Sequence, residues 1–201
     1  MSGLRRRWPA AAVAVMLLAG LAAAAQDHAV EDHAAQDQPK LLPTRDVDIT
    51  YDVTRPQQPR TRERVRWLAG EHLERVDSSG RSTTIFDRNT REVTLLTPAN
   101  RTYRKLDGAP RRALEPEPGA ILKRGSDAIV AGLPCTDWSW TEDVETHTVC
   151  ATADGVILRL IIDGATFTEA RSVKYAPQKA ELFQVPPNYA PALAPEGAQE
   201  P

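Results

Sequence analysis

The sequence predicts a mainly β protein, a curved antiparallel sheet of roughly ten to twelve short strands with little helix. Three observations carry this. From Val47 to Val53 apolar and polar residues alternate strictly, the period of a half-buried strand. Turn signals then recur at about the 8–12-residue spacing of a β meander. The only two cysteines, Cys135 and Cys150, flank a chain reversal symmetrically.

The N-terminus argues for export. Arg5, Arg6 and Arg7 precede an apolar run from Ala10 to Leu21, and small residues follow from Ala22 to Ala25. Residues 1–25 therefore read as a signal peptide cleaved near Ala25. The run is shorter than the roughly 20 residues a spanning helix needs, so the mature chain is expected not to span a membrane and to reside in the periplasm. No cysteine follows the run to take a lipid anchor. Residues 26–44 read as a disordered linker, 45–189 as a single β domain, and 190–201, rich in Pro, Ala and Glu, as a disordered tail. His28 and His33 lie among acids in the linker, but nothing there fixes a metal geometry. A formal net charge of -2 gives no reason to expect nucleic acid as a partner.

Each strand has a local cause. Val47, Ile49, Tyr51 and Val53 point one way, and Asp48, Thr50 and Asp52 the other. Pro56 and Pro59 end this run. Arg60, Arg62, Arg64 and Arg66 then share one face of the next strand, with Val65 and Trp67 on the other. Paired as a hairpin, the two strands set the arginine stripe beside Asp46, Asp48 and Asp52, and opposite charges across strands are favourable. Turns at 69–70, 78–80, 87–89 and 98–100 introduce strands near 71–76, 83–86, 92–96 and 102–106. Pro110, Pro116 and Pro118 interrupt the pattern. Strands follow at 120–123 and 128–130, then a hairpin about Glu142-Asp143. Asp154-Gly155 turns into an apolar strand at 156–162, and a last strand spans 166–175.

With the reversal centred on Glu142-Asp143, Cys135 falls opposite Cys150. Directly opposed residues lie about 4.5–5.5 Å apart at Cα, within disulfide reach. Two cysteines in an exported chain favour that bridge. The same register sets Trp138 opposite His147. It places Cys135, Asp137, Ser139, Thr146, Thr148 and Cys150 on a mostly polar face, and Trp138, Trp140, His147 and Val149 on the other.

The search for chemistry is negative. There is no nucleophile elbow, phosphate-cradling glycine loop, H-E-x-x-H or paired-cysteine zinc spacing, so the chain is expected to be non-enzymatic, with no catalytic residues, metal or cofactor. What remains is an aromatic strand face. Trp67, Trp138, Trp140, Leu158, Leu160, Phe167 and Tyr175 are the candidates for the concave side of the sheet, as an apolar ligand pocket or as a packed core.

Several short words carry a resemblance. They are Val47-Asp48-Ile49-Thr50-Tyr51, Thr102-Tyr103-Arg104-Lys105, Leu133-Pro134-Cys135-Thr136-Asp137-Trp138, the run from Cys150 to Arg159, and Leu182-Phe183-Gln184-Val185-Pro186-Pro187-Asn188-Tyr189. Together with the export signal they resemble an exported branch of the periplasmic lipoprotein carriers, the Lol-pathway superfamily, over roughly residues 47 to 189. The resemblance implies an incomplete β-barrel whose concave face binds a lipid, a lipoprotein acyl chain or another hydrophobic envelope ligand. Such carriers plug the barrel with helices; here the candidates are Ala29–Gln36 and Arg111–Glu115. The alternative is a periplasmic protein-interaction or scaffold domain with a dry core and no small-molecule ligand, docking another protein through its Arg and Asp stripes or its edge strands.

Overall fold

The computed structural model describes residues 38–106 and 115–192. Every described strand and helical turn lies within the unit 39–201. The signal segment, the plug candidate at 29–36, most of that at 111–115 and the tail beyond 192 lie outside the described residues.

Among the described residues, twelve strands form one open sheet. They are β1 (Val47–Val53), β2 (Thr61–Leu68), β3 (Leu73–Ser78), β4 (Ser82–Asp87), β5 (Val93–Thr97), β6 (Thr102–Leu106), β7 (Lys123–Val130), β8 (Leu133–Glu142), β9 (Glu145–Ala151), β10 (Ile157–Ile162), β11 (Ala165–Tyr175) and β12 (Ala190–Pro191). Two meanders, β1 to β6 and β7 to β11, meet where β1 pairs antiparallel with β11. Only β12 is parallel, against β6, so the sheet is mixed, and its ends at β12 and β7 do not meet. Helix is limited to two 3₁₀ turns among the described residues, Ala69–Glu71 and Ala180–Phe183. The second carries Phe183 into a core cluster with Ile85 and Leu96.

Three expectations need correction. The strands foreseen at 120–123 and 128–130 are one strand, β7, bent by a bulge between Arg124 and Asp127. The linker foreseen to residue 44 is ordered at its end, because Leu41 and Pro43 find apolar partners and the Thr44 N–H donates to the Asp154 carbonyl at 2.9 Å. Ala190–Pro191, assigned to the tail, pairs with β6.

The hairpin register also slides. The turn is Asp143-Val144, with Asp143 at φ 52, since a two-residue hairpin loop needs a left-handed residue and Asp tolerates it. Cys150 therefore lies opposite Asp137, and the Cys135–Cys150 disulfide forms across a diagonal with Cα atoms 5.4 Å apart. His147 lies opposite Trp140 rather than Trp138, and their rings stack at 5.3 Å. A slip of two positions leaves every side chain on its expected face; a slip of one would have flipped them all.

Candidate functional site

The alternation in β1 gives the sheet two unlike faces. On one, Val47 pairs with Trp67 and Ile49 with Val65, and Trp67 in turn lies opposite Glu74 on β3. Tyr51 donates its hydroxyl proton to the Ile157 carbonyl at 2.5 Å. All of these except Val47 line a cavity of about 40 Å³ together with Glu115 and a strap of the chain, Leu41-Leu42-Pro43, laid across them. The strap is fixed at its far end. Arg45 pairs with Asp154 at 2.6 Å and lies 3.6 Å above the Tyr175 ring, whose hydroxyl donates to Asp154 at 3.0 Å. Gly155 sits beneath it at φ +92, where a Cβ would fall 2.1 Å from the Leu42 carbonyl oxygen. Partial burial pushes the Asp154 carboxyl up, but hydrogen bonds from Thr152, Arg45 and Tyr175 outweigh it and hold it below its ordinary range. Burial and the neighbouring carboxylate raise the Tyr175 phenol.

Glu74 is a charge on the apolar face, 2% exposed. It survives there because Arg88 reaches it at 2.5 Å and also bonds Glu115, with the guanidinium 5.4 Å from the Phe86 ring centre. The Trp67 indole N–H is buried without a hydrogen-bond partner among the described residues.

The other face is ionic. Arg64 and Arg66 meet Asp48, and Arg66 continues to Asp77 at 2.7 Å, which Arg75 also grips. Burial pushes the Asp77 carboxyl up, but hydrogen bonds from Arg75 and Thr83 hold it below its ordinary range. Asp52, 6% exposed, gathers Arg60 at 2.9 Å, Arg62 at 3.5 Å and Arg171 at 2.9 Å, all three with exposed side chains. The cross-strand pairing expected for the stripe is present for Asp48 and Asp52. Asp46 departs from it: it accepts the backbone N–H groups of Ala69 and Gln178, each at 2.8 Å.

The seven aromatic and aliphatic candidates do not form one pocket. Trp67 lines the cavity. Trp138, Trp140 and Leu160 share a second core cluster, with Phe167, Leu41 and Leu122 packed against it. Leu158 occupies a bulge beside Cys150 and belongs with the disulfide cluster, because the extra residue there breaks the alternation that would align it with Leu160. Tyr175 serves the strap anchor. The strap, Glu74, Arg88 and Glu115 were not singled out from sequence; an acid opposite a tryptophan in a paired strand was the available signal for Glu74.

Among the described residues, no group of three or more His, Cys, Asp or Glu is placed to hold a metal ion. No helix among them is long and apolar enough to cross a membrane. No family model matches the chain, and no curated protein matches it. Solved structures share the fold at low identity. MucB matches with a TM-score of 0.52 at 12% identity, over 80% of this chain and 64% of that one. PNGF-II matches at 0.48 and 16%, over 73% of this chain and 31% of that one. The Pseudomonas aeruginosa MucA/MucB complex matches at 0.42 and 11%, over 71% and 56%. The chain thus spans less than two thirds of each. The likeness is one of β fold and singles out no lipoprotein-carrier family.

Proposed function

We propose that the chain is an exported, non-enzymatic protein-interaction domain of the periplasm, with a dry core, whose arginine face docks an acidic segment of a partner protein. One observation carries this reading: the cavity beneath the strap is about 40 Å³, against the roughly 300 Å³ at which ligand pockets begin. An acyl chain has no room there while the strap is seated. The cleft of about 260 Å³ beside Trp140 is walled by residues 141–143 of the hairpin tip and by residues 117–120 rather than by the aromatic cluster. On the ionic face three exposed arginines share Asp52, an excess of positive charge that complements a run of carboxylates. A likeness of fold adds to it, since MucB has been crystallised with a protein partner, MucA(peri).

The test has two arms. A photo-crosslinker at Arg62, in cells exporting the chain, gives one discrete protein adduct, which disappears when Arg60→Glu/Arg171→Glu is added to the crosslinker-bearing chain. In parallel, the purified chain carries no lipid in native mass spectrometry and gives no saturable signal with an environment-sensitive fatty-acid probe. Co-purified lipid with saturable probe binding and a shift in Trp emission would overturn the proposal and favour a carrier of hydrophobic envelope ligands.

A further inference from the structure

The two ends of the sheet are finished differently. The edge at β6 is covered by β12, which ends in Pro191. Among the described residues, β7 pairs only with β8. Its backbone orientation can be read from the turn that follows. Ala131 and Gly132 both have positive φ and make a two-residue loop, so the flanking pair Val130–Leu133 is hydrogen-bonded. The next pair, Ile129–Pro134, cannot exchange hydrogen bonds, since Pro134 has no N–H. Ile129 therefore turns its N–H and C=O toward the open edge. By alternation Asp127 does the same and, beyond the bulge, so does Arg124.

The bulge has a second effect. Residues three apart on a regular strand face opposite sides, but the extra residue between Arg124 and Asp127 brings them to the same side. Asp127 lies opposite Thr136 and Arg124 opposite Trp138, two residues of one face, and the Arg124 Nη2 reaches the Asp127 Oδ1 at 3.0 Å. The flanking Leu122 and Ile129 follow the same alternation. Ile129 is 77% exposed, and Ile121, just before the strand, is 81% exposed.

We infer that the β7 edge is a self-complementary interface, on which the β7 strand of a second copy of this chain adds antiparallel about a two-fold axis between Gly125 and Ser126. In that register Arg124 of each copy lies opposite Asp127 of the other, in a pair that exchanges backbone hydrogen bonds, and Leu122 lies opposite Ile129. Charges and bulges on an edge ordinarily discourage pairing. Here the bulge aligns opposite charges in one register, while Lys123 and Arg124 repel strands that bring no carboxylate to that position. An eight-residue edge falls at the small end of interface sizes, so the dimer depends on concentration and salt. This goes beyond docking of a different protein on the arginine face and is read independently of it.

Sedimentation velocity on the purified full chain, from micromolar to millimolar concentration, tests the inference. The wild type shifts from monomer to dimer. Arg124→Glu and Asp127→Lys each weaken the dimer by at least about tenfold, because each sets like charges opposite in both symmetric pairs. Mixing the two variants restores it as a heterodimer, since each then supplies the charge the other lacks. Ile129→Pro, which removes an edge-facing N–H and leaves the bonds to β8 intact, also abolishes it, with circular dichroism confirming that each variant is folded. A wild type that stays monomeric throughout, or a dimer indifferent to these substitutions and to mixing, overturns the inference.

Discussion

Arg88→Met tests how the apolar face tolerates its charges. Glu74 is 2% exposed and meets Arg88 at 2.5 Å; Glu115, on the same guanidinium, lines the same cavity. Removing the cation leaves two carboxylates facing one small space with no guanidinium between them. Breaking a buried ion pair from one side costs about 3–5 kcal/mol. For a domain of this size that is a fall in Tm of roughly 6–20 °C. The thioether fills part of the guanidinium's volume over Phe86, so the loss is one of charge more than of packing. Urea unfolding at neutral pH gives the number. The double variant Glu74→Leu/Arg88→Met should recover to within about 1–2 kcal/mol of wild type, since an apolar pair often replaces a buried ion pair at little cost. If Arg88→Met alone costs less than about 1 kcal/mol, Glu74 does not depend on Arg88, and the account of how this face carries a charge fails.

Reducing the Cys135–Cys150 bridge, which closes a separation of 15 residues, should cost about 3 kcal/mol in the chain-entropy account, read as a lower urea midpoint with reductant. Gly155→Ala should cost about 1–3 kcal/mol, since φ +92 and the Leu42 carbonyl at 2.1 Å force the strap to move; trypsin should then cut after Lys40 or Arg45, and unchanged resistance would argue against a seated strap. Asp77→Asn should lower stability at neutral pH, with the gap to wild type closing in acid. The folded carboxyl titrates below its unfolded value, near 3.9, so its contribution is complete above that value and lost as pH falls through the lower folded one. A gap that stays constant or widens below about pH 4 would refute the assignment of Arg75 and Thr83 as its stabilisers.

Much of this fold was legible because alternation survives errors of register. The tight turn was misplaced by one residue, which slides the pairing by two and keeps Trp138, Trp140 and Val149 together on one side and both cysteines on the other. Bulges have no such protection. Leu158 and Phe167 each occupy an extra position in their pairings, and no residue type announces that position, so a single apolar face containing both was over-read. The β1–β11 pairing joins strands more than a hundred residues apart, and nothing local encodes it. The strap was missed for a similar reason. Leu41-Leu42-Pro43 follows a polar stretch and has no periodicity, and its anchor depends on Gly155 and Asp154 arriving from a distant turn.

That strap sets an energetic cost that bears on the two functional readings. A hydrophobic ligand for the apolar face competes with residues of the chain already seated there. Displacing them exposes part of Leu41 and Pro43, at up to about 1.5–3 kcal/mol for a fully buried side chain. It also gives up the Thr44–Asp154 hydrogen bond, about 1 kcal/mol net, and the exposed Arg45–Asp154 pair. A total near 3 kcal/mol lowers the apparent affinity of any occupant by roughly a hundredfold. A weak or transient lipid contact does not repay that. The exposed arginines around Asp52 carry no comparable cost, because the proposed partner would meet them without displacing any segment of the chain. The proposed docking therefore falls on the side of the sheet that sequence reads as solvated, and a ligand on the aromatic side would have to displace the strap first.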